Sequence, residues 1–167
     1  MWQAAAVERD EASLLARATP RTSTTPLPPM SPFEETAADY AATGLTTGPH
    51  LMAHLRPTLD ARGVLPTRAL ADAPNGRRIR TAGHVIVRQR PGTAKGMCFL
   101  TLEDETGLAN AFLTPPLYER YRVLLNSSPL LEIAGRLEKR EGVIHVRVMH
   151  LRRLDADAPM PEGHDYR

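Results

Sequence analysis

Phe99, Thr101, Asn110 and Phe112 alternate along two short apolar stretches, Met97 to Glu103 and Leu108 to Leu113, at the spacing that sends side chains to one face of paired strands. If Leu100 and Leu102 fill a core, Met97, Phe99 and Thr101 point the other way, and Asn110 and Phe112 share one face of the following strand. Rings held outward take up nucleic-acid bases by stacking, at about 1–3 kcal/mol per base. An asparagine amide can meet a base edge. Arg88, Arg90 and Lys95 precede these stretches, and Lys139 and Arg140 follow on a later turn. They are cations suited to phosphates. The competing reading makes Phe99 and Phe112 core residues of a domain poor in aromatics, and any single cation a solvated surface group.

Other chemistry finds less support. His50 and His54 are spaced i, i+4 as metal ligands are, but no third ligand lies near and no glutamate follows His50, so capping or packing is the expected role. Glu103, Asp104 and Glu105 form an acidic tip; a hydrolytic metal site there is the distant alternative to an exposed turn. Ser127 and Ser128 have no neighbouring base, and Cys98 alternates with core positions as an inert thiol. We therefore expect no catalytic residue, metal or cofactor in this chain, which leaves open whether it works within an enzyme.

The elements that must position these residues follow from the pattern. Ser31, Pro32, Glu34 and Glu35 mark a capped helix start running to about Ala42. His50 to Leu59 is again helical, with Leu51, Leu55 and Leu59 on one face; Gly63 ends it, and Thr67 should cap a further short helix before Pro74, Asn75 and Gly76. From Arg77 the period becomes two. A long strand, Arg78 to Arg90, sets Ile79, Thr81, Gly83, Val85 and Val87 against Arg78, Arg80, His84, Arg88 and Arg90, and Gly83 would let it bend and serve two sides of a barrel. The two stretches above are the next strands. A helix, Leu117 to Leu125, and a hairpin, Leu130 to Leu137 and Val143 to Leu151 around Arg140-Glu141-Gly142, complete the order.

Three strands, a helix and two strands predict a mainly β fold, a five-stranded OB-fold barrel preceded by a small helical connector. An SH3-like barrel is the rival, though it has no need of the helix. The expected division is 1–30, an N-terminal helix and Pro-rich linker; 31–76, the helical connector; 77–154, the barrel; and 155–167, an acidic disordered tail.

Of 167 residues, 42% are hydrophobic and 24% charged, which fits a folded globular chain. The net charge of +2 hides its distribution: residues 77–154 carry 14 Lys/Arg against 7 Asp/Glu, while both flanks are net acidic. An anionic partner for the middle segment is implied. No apolar run approaches the roughly 20 residues that span a bilayer. With Cys98 the single cysteine, a cytoplasmic protein with no membrane partner is expected.

The wording of the barrel segment is itself distinctive. Val85 to Gly96 (VIVRQRPGTAKG) followed by Phe99 to Asn110 (FLTLEDETGLAN) resembles the OB domain of error-prone DNA polymerases of the bacterial C family, relatives of the polymerase III alpha subunit. Pro29-Met30-Ser31-Pro32, Asp39-Tyr40, Thr43-Gly44-Leu45 and His54-Leu55-Arg56 resemble that family's connector, with Leu51 departing from the usual proline after His50. The resemblance covers most of residues 26–151 and implies the non-catalytic C-terminal end of such an enzyme, since the segments bearing the family's polymerase aspartates are not among these residues. It implies single-stranded DNA as partner, lesion bypass in the SOS response as the parent activity, and polymerase or accessory translesion proteins as associates. A protein-docking module is the alternative.

Overall fold

The computed structural model describes residues 29–43 and 48–154, together with the backbone of 164–166. The expected N-terminal helix and most of the linker and tail lie outside the described residues. α1 (Pro32–Thr43) begins in a reciprocal cap: the Ser31 amide donates to Glu34 Oε2 at 2.7 Å and the Glu34 amide to Ser31 Oγ at 3.2 Å. That bond from the Ser31 backbone holds the Glu34 carboxyl below its usual range. α2 (Leu51–Ala61) is capped by His50, whose Nδ1 accepts from the Met52 amide at 3.1 Å. His54 Nε2 lies 3.1 Å from Thr36 Oγ1, so both histidines do the capping and packing work expected of them.

Thr67 departs from expectation. It opens a 3₁₀ turn, Thr67–Leu70, behind Pro66, and its hydroxyl makes no capping bond. Its amide instead donates to the Asp104 carboxylate at 2.7 Å. A side chain 37 residues away in sequence does the capping, which no local pattern announces.

The strands are β1 (Arg78–Gln89), β2 (Cys98–Asp104), β3 (Gly107–Leu113), β4 (Leu130–Arg140), β5 (Val143–Arg153) and β6 (His164–Tyr166), with α3 (Pro115–Ser127) between β3 and β4. The order β2-β3-β5-β4-β1 closes through a β1–β2 pairing. This is the five-stranded OB barrel, with its helix in the expected place. β3 and β5 pair in parallel, and β6, which the sequence pattern does not announce, pairs in parallel with β1 at Val87 to Gln89.

β1 serves two partners, as its length and Gly83 foretell: Arg78 to His84 pair with β4, and His84 to Gln89 with β2. A Cβ at Gly83 would stand 2.7 Å from the Glu103 carbonyl oxygen, so only glycine permits this closeness. The bulge lies further on, between Val85 and Val87. One extra residue reverses which side chains face in. Val85 is in register with Leu102, but Val87 with Thr101 and Arg88 with Leu100. The strict alternation expected along β1 therefore fails beyond the bulge.

Two cores result. Leu100, Leu102, Leu113, Ile133, Leu137 and Val146 fill the barrel, and Leu125 of α3 joins them fully buried. Leu51, Met52 and Leu59 of the connector pack with Ala82, Leu130 and Leu154 in the second. This cover makes Thr81 through Val85 a buried run with no alternation, His84 included. Leu65 hydrogen-bonds β1 from outside, its amide to the Arg80 carbonyl at 2.7 Å and its carbonyl to Thr81 Oγ1 at 2.8 Å.

Candidate nucleic-acid interface

β2 alternates between interior and exterior: Cys98, Leu100, Leu102 and Asp104 are buried, while Phe99, Thr101 and Glu103 are half-exposed. On β3, Ala109, Ala111 and Leu113 are buried, Asn110 is exposed and Phe112 half-exposed. Phe99 stands opposite Phe112, and Thr101 opposite Asn110. Both rings thus lie outside the two cores, side by side on one wall. Thr101 Oγ1 donates to Asn110 Oδ1 at 3.2 Å. This fixes the amide with its two Nδ2 donors available for an acceptor on a base edge.

β5 extends the wall. Its parallel register sets His145 beside Asn110 and Arg147 beside Phe112, and the His145 ring meets Phe112 edge-on with centroids 6.3 Å apart. Neither His145 nor Arg147 belongs to the sequence-derived set. The alternation of Val146 and Val148 marks them as outward; what it lacks is that β5, distant in the chain, lies against β3.

The predicted cations divide. Lys95, in the left-handed conformation with φ 50°, is exposed on the loop entering β2, at the Phe99 end of the wall. Arg140 is exposed on the β4–β5 turn, toward the opposite end. Three others are placed differently. The bulge puts Arg88 in register with Leu100, on the face away from Phe99. Arg90 lies over the Tyr118 ring at 4.4 Å, with Glu119 at 3.5 Å, against α3. Lys139 Nζ donates to the Ala71 carbonyl, and its amide to Asn75 Oδ1 at 2.9 Å, tying β4 to the connector.

The acidic tip is a clamp. Asp104 is 3% exposed and accepts from the Thr67 amide, the Thr106 amide at 2.8 Å, Thr106 Oγ1 at 2.6 Å and Arg56 at 3.2 Å; Glu105 also binds Arg56, at 2.5 Å. Burial draws the Arg56 pKa down, but its bond to Glu105 and the charges of Glu105, Asp104 and Asp60 outweigh it, and the net shift is upward. Among the described residues no group of three or more His, Cys, Asp or Glu is placed to hold a metal, and no helix is long and apolar enough to cross a membrane.

The chain matches no protein-family profile. It is 42% identical over 148 residues to an error-prone DNA polymerase of Anaeromyxobacter sp. (strain K), an alignment covering 89% of this chain and 13% of the relative. The corresponding protein of Nocardia farcinica is 40% identical over 154 residues, 92% of this chain and 13% of the relative. Among solved structures, the asparaginyl-tRNA synthetase of Pyrococcus horikoshii shares 24% identity with a TM-score of 0.42, over 50% of this chain and 21% of that one. The chain thus spans about an eighth of the length of the polymerases it matches. By sequence, the chain corresponds to a C-terminal segment of bacterial error-prone DNA polymerases.

Proposed function

We propose that residues 77–154 form a non-catalytic module that holds single-stranded DNA, within or beside an enzyme that copies damaged templates. The single observation behind this reading is the Phe99 and Phe112 pair, in register on one wall outside both cores. Two half-exposed rings bring the fold less than buried ones would; as a stacking platform they accept successive bases irrespective of sequence. Asn110, oriented by Thr101, supplies a base-edge contact. Lys95 and Arg140 hold phosphates at the two ends, so affinity falls as salt rises. The parent activity is lesion bypass during the cytoplasmic DNA-damage response, with translesion accessory proteins as associates.

Fluorescence anisotropy with labelled single strands tests this reading. Phe99→Ala and Phe112→Ala should each weaken binding by about 1–3 kcal/mol, roughly 5- to 150-fold in Kd, in variants that still unfold cooperatively. Wild-type affinity in the double variant, or no binding by the wild type at low salt, would remove it. Preferential binding of polymerase or accessory proteins by a chain indifferent to DNA would establish the docking alternative.

A further inference from the structure

The wall of rings continues into a row of arginines. Strand register takes Phe99 to Phe112, Phe112 to Arg147, Arg147 to Arg136, and Arg136 to Arg78, one residue on each of β2, β3, β5, β4 and β1. All three arginines are exposed. With Thr114 and Met149 they line a concavity of about 440 Å³, and the Thr114 hydroxyl makes no capping bond to α3.

Like charges directly opposite one another on a sheet are destabilising. Elsewhere on this barrel the fold compensates such a gathering: Arg62, Arg80 and Arg152 converge on Glu132, a buried carboxylate. Around Arg78, Arg136 and Arg147, among the described residues, no carboxylate forms an ion pair. Arg136 Nε donates to the Gly76 carbonyl at 2.9 Å, which orients that guanidinium without neutralising it. Three adjacent cations in a concave surface, without an ion-pair partner among the described residues, suit an external polyanion.

We propose that Arg78, Arg136 and Arg147 form a phosphate track for the same single strand that stacks on Phe99 and Phe112. The nucleic acid then runs across the barrel strands, from the β2–β3 face onto the β5–β4–β1 wall, instead of ending at the rings. This rests on the nucleic-acid reading above. Four inter-strand steps of about 4.8 Å give a path of roughly 19 Å, so a strand long enough to run on past the rings gains more from the track than a short one.

The test compares labelled oligothymidylates of about 5 and about 15 nucleotides, near the two ends of the range one OB barrel occupies, on the whole chain in a salt series. In an Arg78→Gln, Arg136→Gln, Arg147→Gln variant, binding of the longer strand should weaken at least tenfold. The slope of log K against log salt should flatten by about 2, at roughly 0.7 per phosphate contact. Binding of the shorter strand should weaken less, since it lays fewer phosphates along the track, whereas Phe99→Ala weakens both. Wild-type affinity and slope on the longer strand would overturn the track and leave the stacking reading standing; equal losses on both lengths would also overturn it. Failure of the wild type to bind either strand overturns both. Should the triple variant melt early, the wild type decides by NMR: the Arg78, Arg136 and Arg147 side-chain Nε–H resonances should move on addition of the longer strand, and unmoved resonances refute the track.

Discussion

At the scale of single residues, position in the sheet outweighs residue type. Phe99 and Phe112 are large, apolar and exposed in part, while Asp104 is charged and buried. The carboxylate tolerates burial because four donors surround it, two of them backbone amides. Removing it leaves those amides and Arg56 short of a partner, and breaking a buried pair from one side is costly. Asp104→Ala should therefore lower stability by about 3–5 kcal/mol, read as a lower urea midpoint. Asp104→Asn should lose less, since its amide oxygen still accepts. Lysines and arginines show the same dependence: Lys95 and Arg140 are exposed, while Lys139 and Arg90 are occupied by the connector and α3.

At the scale of elements, two irregularities shape the candidate site. The bulge in β1 turns Val87 outward and Arg88 toward the side of Leu100. The second lies between β4 and β5, where the register slips beside Gly135 and Met149 is the extra residue. A Cβ at Gly135 would lie 2.3 Å from the Arg147 carbonyl oxygen. Gly135→Ala must push β4 and β5 apart, and overpacking of this kind costs about 1–3 kcal/mol. Faster hydrogen exchange should appear first at β4 and β5 amides around the slip. Fast exchange confined to α1 would show instead that the strain is relieved elsewhere.

At the scale of the whole molecule, the connector and barrel fold as partners. Asp104 and Glu132 on the barrel take Arg56, Thr67 and Arg62 from the connector, and Tyr40 of α1 sets its ring edge-on to His50 and His84, each with centroids 6.1 Å apart. Burial, aided by the charge of Glu103, raises the Tyr40 pKa. A raised pKa means that the folded chain holds the proton more tightly than the unfolded one. The associated stability is complete below the unfolded phenol pKa of about 10 and is lost as pH rises through the folded value. Tyr40→Phe should flatten the alkaline limb of a melting-temperature profile above about pH 10 while leaving the neutral region unchanged. An alkaline limb identical to wild type would sink this assignment.

The five barrel strands and the helix among them were legible from periodicity and turn residues, because alternation along a strand is a local property that the chain carries wherever it folds; the same alternation offered an outward face to Phe99 and Phe112, with a core role as its rival. The concentration of positive charge in 77–154 was legible too. The bulge parity that relocates Arg88, the capture of Lys139 and Arg90, and the lateral row from Phe112 through Arg147 to Arg78 were not. Those depend on which strands become neighbours and in what register, and residues brought together across a closed barrel leave no spacing in the linear text from which their contact can be read.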